Sequence, residues 1–195
     1  MGPDKVKRLV AVAALFALSI AGLAAPQISG GQNGLGSDDF TVKLYLTKTC
    51  HSRSGIIGGG GGETSTCTEL PNKEDAAAGN GPAFAPQWEW ALAFCVFAMV
   101  CSLAMLLVVL RQTDLGSKAG GANNALGNLS IAVGACFLVA LALVADYRSS
   151  LDPRTALTLY ERLLYEGGSY DGGFFSLVLG FLLSGGYYYQ CHVAS

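Results

Sequence analysis

The sequence predicts an all-α membrane protein, a four-transmembrane-helix bundle that carries a small disulfide-pinned extracellular β-sheet, within one domain spanning residues 1–195. Hydrophobic residues make up 51% of the chain and charged residues only 13%, against about 25% charged in soluble domains. Asp, Glu, Lys and Arg are absent from four long stretches, namely residues 9–37, 90–110, 119–145 and 172–195. Two cysteines also flank a run of glycines in the longest polar segment.

Each stretch without charge contains one predicted transmembrane helix. A bilayer core about 30 Å thick requires about 20 helical residues. The predicted spans are residues 9–25, 90–110, 125–145 and 174–189. The inner two reach the required length, and the outer two lie near its lower limit. We therefore expect four spans.

The first span has a second interpretation. Lys5, Lys7 and Arg8 ahead of an apolar run that ends in small residues are also typical of a secretory signal peptide, cleaved after Ala24. The apolar run is longer than the usual signal core. It also carries alanines at helical spacing, a ridge suited to packing against another helix. Retention in the mature protein is favoured, and cleavage stays open as the alternative.

The distribution of charge predicts that both termini are cytoplasmic. With the N terminus inside, the cytoplasmic segments hold five basic and two acidic residues, and the remaining segments hold seven basic and twelve acidic ones. Basic residues in short segments next to spans favour the cytoplasmic side. We expect a multi-pass protein of the plasma membrane with exoplasmic loops at residues 27–89 and 146–173.

This topology places Cys50 and Cys67 in an oxidising compartment, where disulfides form and persist. A bond between them would enclose 16 residues and stabilise the fold by about 3 kcal/mol through the entropy of the unfolded chain. The glycine run Gly58 to Gly62 lacks the Gly-Lys-Ser/Thr of a phosphate-binding loop. With His51 the cysteines offer three ligands, where structural zinc needs four. We predict a disulfide, and neither a metal nor a cofactor.

The flanking residues predict a small sheet. DFTVKLYLTKTC alternates apolar and polar residues as a strand with one buried face does. ETSTCTEL is rich in threonine and is expected to pair with it across the glycine tip. In the second exoplasmic loop, Asp152 and Pro153 are typical of the start of a short helix that ends before Gly167.

The fourth span carries a packing pattern of small residues every four positions, at Gly172, Ser176, Gly180 and Ser184. Such a ridge lets another helix approach closely. We expect it to be buried, either against a helix of the same chain or against another subunit. Just past this span, Cys191 is a possible site of palmitoylation.

The predicted spans contain no ionisable side chain apart from cysteine and tyrosine. Intramembrane enzymes and ion-coupled carriers generally place such groups within the membrane. The two histidines, His51 and His192, are predicted on opposite sides of the bilayer. We therefore expect no enzymatic activity, no catalytic residue, no small-molecule substrate and no nucleic-acid partner. Membrane lipids are the expected surroundings.

Two segments carry a family resemblance. YDGGFFSLVLGFLLSGGYYY is similar to a Tyr-Gly-x-Ser-Phe opening with a Ser-Gly-Gly-like end, and LYLTKTC lies where Gly-Leu-Trp-x-x-Cys is expected, with Thr47 at the tryptophan position. With four spans and a long first exoplasmic loop, the chain resembles the superfamily of claudins, peripheral myelin protein and calcium-channel gamma subunits; amastins are similar. The resemblance implies a non-enzymatic tetraspan bundle with a Cys50–Cys67 disulfide.

From this resemblance and the loops we predict a structural or auxiliary membrane protein. It is expected to bind a larger membrane protein, or further copies of itself, through its exoplasmic loops and one helix face. The alternatives are a channel whose oligomer lines a polar pore, and a cell-adhesion or junction protein. Polar residues are sparse in the spans, which favours the auxiliary role over the pore.

Overall fold

The computed structural model of the chain describes residues 3–33, 39–55, 62–69, 85–111, 120–150 and 168–192. These residues form four helices and five strands. The helices are α1 (Pro3–Ala24), α2 (Ala85–Arg111), α3 (Gly120–Ser150) and α4 (Gly172–His192). The strands are β1 (Ile28–Asn33), β2 (Asp39–Leu44), β3 (Lys48–Gly55), β4 (Gly62–Glu69) and β5 (Ser169–Tyr170).

The four helices form a closed ring in which α1 contacts α2, α2 contacts α3, α3 contacts α4 and α4 contacts α1. Three of them are long and apolar enough to cross a membrane, over Asp4–Ala24, Gln87–Arg111 and Asn123–Ser149. Because a helix rises about 1.5 Å per residue, segments of this length match a bilayer core. The chain therefore has the helices of a membrane protein.

Helix α4 has 21 residues but is not among those three. Its last turns carry the polar tips of three consecutive tyrosines followed by Gln190, and glycines occupy both ends and the middle. These residues lower its mean hydropathy over a membrane-length stretch, so α4 falls outside that group. The described residues contain a helix at each of the four predicted spans, whereas the prediction that all four cross the membrane is not confirmed by composition and length.

The bundle interior is filled with apolar and small side chains. Each helix contributes to it, with fully buried Leu15 on α1, Met105 on α2, Phe137 on α3 and Leu177 on α4. The outward face is just as apolar, and large side chains such as Phe97 are more than half exposed in the isolated chain. This surface is what a bilayer requires, since lipid tails solvate it.

The sheet is antiparallel with strand order β4-β3-β2-β1-β5. It lies at the end of the bundle where α1 and α3 finish and where α2 and α4 begin. Val42 and Leu44 of β2 are buried with Ile28 against the bundle, while Thr41 and Lys43 are exposed. The alternation predicted from the sequence therefore separates a core-facing surface from an outer face.

The prediction of a single strand through residue 50 is wrong, because the structure has two strands there. The chain turns back after Leu44, where the amide of Tyr45 donates to the carbonyl of Lys48 over 2.8 Å, and β3 begins. Alternation does not distinguish a long strand from two strands joined by a tight turn. β1 and β5 were not predicted, because one is glycine-rich and the other has two residues. The predicted glycine tip, apart from Gly62 at the start of β4, and the predicted short helix lie outside the described residues.

Candidate functional site

The predicted disulfide is present, and it joins Cys50 of β3 to Cys67 of β4 with an S–S distance of 2.05 Å. The two residues are direct partners in the antiparallel register. Their side chains therefore project from the same face of the sheet. The bond attaches β4, an edge strand of the described sheet, to its neighbour.

A polar cleft of about 200 Å³ lies on the outer face around this disulfide. The strand register sets its lining, because cross-strand partners share a face. One row joins Thr41, Ser52 and Ser65, and the next joins Lys43 to the two cysteines. Tyr45 and Lys48 close one end of the cleft. Sequence reasoning identified the disulfide but not the cleft, which needs the register of three strands.

Only the C-terminal half of the small-residue ridge on α4 is buried. Gly180 and Ser184 are buried, whereas Gly172 is exposed and Ser176 is half-buried. A step of four residues advances about 400° around the helix, so a strict four-residue ridge drifts by about 40° per step. The buried positions instead alternate steps of four and three, as in left-handed helix packing. They are Gly173, Leu177, Gly180, Ser184, Tyr187 and Cys191.

The neighbour of this ridge is within the chain. A Cβ atom on Gly180 would lie 2.6 Å from Cε2 of Phe137 on α3, so the glycine is needed for the ring to fit. The hydroxyl of Ser130 donates to the carbonyl oxygen of Ser184 over 2.6 Å. Gly134 lies against the Ser184 side chain. Small residues on both helices thus bring α3 and α4 together.

Gln27 connects the bundle to the sheet, and sequence reasoning missed it. Its backbone N–H donates to the carbonyl of Leu44 over 2.7 Å, and its own carbonyl accepts from the amide of Asp171 over 2.9 Å. Its fully buried side chain donates from Nε2 to the carbonyl of Gly22 over 2.6 Å. A side chain at Gly173 would overlap this amide. No periodic pattern marks the residue, because its contacts come from three separate elements.

The opposite end of the bundle is held by contacts among α1, α3 and α4. Arg8 donates from Nη1 to Oδ1 of Asn123 over 2.6 Å. His192 lies against Gly127. Cys191 is 3% exposed, so its thiol points into the bundle and not towards a modifying enzyme. The possible palmitoylation of Cys191 stays a prediction, and this burial is the observation against it.

Aromatic contacts surround the sheet end of the helices. The rings of Trp88 and Tyr147 stack with centroids 4.8 Å apart, joining α2 to α3. Arg148 donates to the carbonyl of Gly168 and lies over the ring of Tyr170, 4.5 Å from its centroid. These contacts attach β5 to the end of α3.

Four serines are buried in the described helices, beside the polar atoms of Trp88, Tyr147 and Tyr187. Ser19 and Ser102 face each other between α1 and α2 with 3.4 Å between their hydroxyl oxygens, and Ser130 and Ser184 link α3 to α4. Among the residues that the structure describes, no group of three His, Cys, Asp or Glu side chains is arranged to hold a metal ion.

The chain matches no protein-family model and no curated protein sequence. The resemblance to the claudin and peripheral myelin protein superfamily rests on the residues quoted above and stays a prediction.

Proposed function

We propose that this chain is a four-span, non-enzymatic membrane protein that serves as a structural or auxiliary subunit of a larger membrane complex. Its α4 is the fourth span in this proposal. Leu177 near the start of α4 meets Gly22 near the end of α1, and His192 at its end meets Gly127 near the start of α3. Helix α4 thus lies level with α1 and α3, and its 21 residues extend about 32 Å.

The proposed orientation puts the sheet outside the cell. Lys5, Lys7 and Arg8 at the start of α1 and Arg111 at the end of α2 all lie at the bundle end opposite the sheet. Basic residues favour the cytoplasmic side. The Cys50–Cys67 bond supports the same orientation, because disulfides persist in oxidising compartments.

The observation that carries the structural role is the packed interior of the bundle. Its buried serines make hydrogen bonds within or between helices, as when the hydroxyl of Ser19 donates to the carbonyl of Leu15 over 2.9 Å. A pore within one chain would need a continuous polar lining. The apolar residues around these serines supply no such path in the described part. This favours a scaffold over a single-chain channel.

The surface proposed for the partner helix is the outward face of α2, which we name the α2 face. It is apolar between residues 96 and 110, with side chains 41–55% exposed in the isolated chain. Its members are Val96, Phe97, Val100, Leu103, Leu107 and Leu110. Lipid or a transmembrane helix of a larger protein, or of a second copy, can cover it.

Topology is tested by adding one reporter cysteine at either end of α4. Ser169→Cys lies in β5 and Gln190→Cys lies in the last turns of α4, and both positions are exposed. A membrane-impermeant maleimide applied to intact cells is expected to label Ser169→Cys and to label Gln190→Cys only after permeabilisation. The unaltered chain measures background from its own thiols. Labelling of both reporters from the same side would refute a spanning α4.

The auxiliary role is tested by purification in mild detergent from cells that express the chain. We expect a larger membrane protein to co-purify in fixed ratio, and the double variant Phe97→Ala with Val100→Ala to lose it. The matched control, Ile131→Ala with Leu138→Ala, changes equally exposed residues on α3 and should retain it. Ion flux through liposomes containing only this chain would instead support the channel alternative.

A further inference from the structure

We propose that the outer face of the sheet binds an acidic saccharide in the cleft around the Cys50–Cys67 disulfide, named here the disulfide cleft. The shared chemistry of its ligand is one sugar unit that bears a carboxylate or a sulfate. The inference rests on the proposed function only for the orientation that places this face outside the cell. It adds a chemical class of ligand for the outer face of the sheet.

Positive charge in the disulfide cleft comes from two lysines. Lys43 is the cross-strand partner of Cys50, and Lys48 precedes Cys50 by two residues, so all three project from the outer face. Both lysines are exposed and line the cleft. Among the side chains that the structure describes, neither ammonium group lies within 4.0 Å of a carboxylate. Glu69 is the cross-strand partner of Lys48 and shares this face, so it offsets part of that charge. On β3 and β4 the row of Lys43 holds only the two cysteines, so Lys43 is the less opposed of the two ammonium groups that can form charge-assisted hydrogen bonds to an anion.

Hydroxyl groups lie beside the lysines in the next cross-strand row. The oxygens Oγ1 of Thr41 and Oγ of Ser52 are 2.6 Å apart, and Ser65 follows Ser52 in the same row. A hydroxyl both donates and accepts hydrogen bonds. Because sugar hydroxyls do the same, a row of three such groups on neighbouring strands can bind the polar edge of a sugar ring.

Tyr45 supplies an apolar surface at the end of the cleft. Its ring is half-buried, and Nζ of Lys48 lies 5.3 Å from the ring centroid. An aromatic face packs against the C–H face of a sugar, and the nearby ammonium group then meets an acidic substituent. Since the cleft measures about 200 Å³, below the usual range for drug-sized ligands, it suits one sugar unit.

The test measures binding to the full chain in detergent micelles by titration calorimetry. The probes are sialyllactose, which carries a carboxylate, a sulfated heparin disaccharide, and neutral lactose. We expect at least one acidic probe to bind about tenfold or more tightly than lactose, with affinity falling as salt is raised. Comparison of the two acidic probes identifies which acid the cleft prefers. Equal affinity for lactose and both acidic probes, or no binding at all, overturns the proposal.

Variants locate the site. Lys43→Gln combined with Lys48→Gln should weaken binding of the acidic probe about tenfold or more, since each charge-assisted hydrogen bond contributes strongly. Lys5→Gln with Lys7→Gln removes the same charge at the far end of the bundle and should leave binding unchanged. A non-reducing gel and a thermal melt check that both variants fold. Loss of affinity in both, or in neither, overturns the assignment to this cleft.

Failure of saccharide binding and failure of the proposed membrane orientation give different results. In detergent the disulfide cleft is accessible whichever way the chain lies in the membrane. Binding in detergent without binding to intact cells would therefore refute the proposed orientation and keep the cleft. Correct topology by cysteine labelling without binding in detergent would refute the cleft alone.

Discussion

Gly180 is a residue at which the α3–α4 contact depends on the absence of a side chain. Its position would put a Cβ atom 2.6 Å from Cε2 of Phe137, a fully buried ring. In a membrane, helix association relies on such close packing, because lipid removes most of the hydrophobic driving force between helices. A side chain here must displace the ring or separate the helices.

We predict that Gly180→Val destabilises the bundle by about 1–3 kcal/mol, the usual cost of overpacking a core. The matched control is Gly185→Val on the same helix, where an added Cβ meets nothing within 4 Å. Both substitutions replace glycine by valine on one helix, so the change in helix propensity is the same. The difference in stability between the two variants therefore measures packing. Thermal unfolding in detergent measures it. Equal loss in the two variants would contradict the close approach of α3 and α4.

Sequence reasoning at the residue scale succeeded where chemistry is local. Gly180 and Ser184 were selected by residue type, and both lie in the interface. Gly172 was selected by the same rule and lies at the surface, while its neighbour Gly173 is buried beside Gln27. The spacing of small residues does not give the rotation of a helix, because that depends on what the helix packs against.

At the scale of elements, the disulfide determines how firmly β4 is attached. β4 pairs with β3 and with no other strand among the described residues. Edge strands are held by one set of backbone hydrogen bonds, so a covalent link to the neighbour limits their separation. The disulfide also lowers the conformational entropy of the unfolded chain, because it closes the loop between the two strands.

Removal of the disulfide is predicted to lower the free energy of unfolding by about 3 kcal/mol. Because Cys50→Ala and Cys67→Ala each remove the same bond, the double variant should lose no more than either single variant, within about 0.5 kcal/mol. Thermal or chemical unfolding in detergent gives the three values. Thr66→Ala, an exposed neighbour on β4, serves as the control. Additive losses would show that the cysteines act separately.

The sheet was only partly predictable at this scale. The alternation in β2 and the threonine-rich β4 are local signals, and a strand lies at each, although the alternation continues past the end of β2 at Leu44. The turn after Leu44 carries no glycine or proline to mark it. β5 exists because α3 and α4 bring its two residues beside β1, and no segment this short predicts a strand alone.

At the scale of the whole molecule, α1 forms one wall of the ring of helices. Val12, Leu15 and Ser19 are fully buried along one side of it, and Arg8 reaches Asn123 on α3. If α1 were cleaved as a signal peptide, the apolar sides of α2 and α4 that pack against it would lose their partner within the chain. These contacts favour retention of α1 in the mature protein.

We predict that the mature chain contains α1, so the intact mass of the purified protein corresponds to a chain not cleaved after Ala24. Leu15→Ala should then destabilise the purified protein by about 2–5 kcal/mol, because it opens a cavity in the core. Val10→Ala, at a position that is 62% exposed, should change its stability little. If α1 were removed on export, neither substitution would alter the thermal unfolding of the mature chain.

The sequence by itself determined that the chain is a membrane protein, where its four described helices lie, which face of β2 is buried, and which cysteines form the disulfide. Hydropathy, charge and alternation are properties of neighbouring residues, so they can be read from one segment at a time. The tertiary structure alone decided which side of α4 is buried, how Gln27 joins bundle to sheet, and that two lysines and three hydroxyls share one cleft. Those features are contacts between distant segments, and their geometry is set by packing and strand register that no single segment contains.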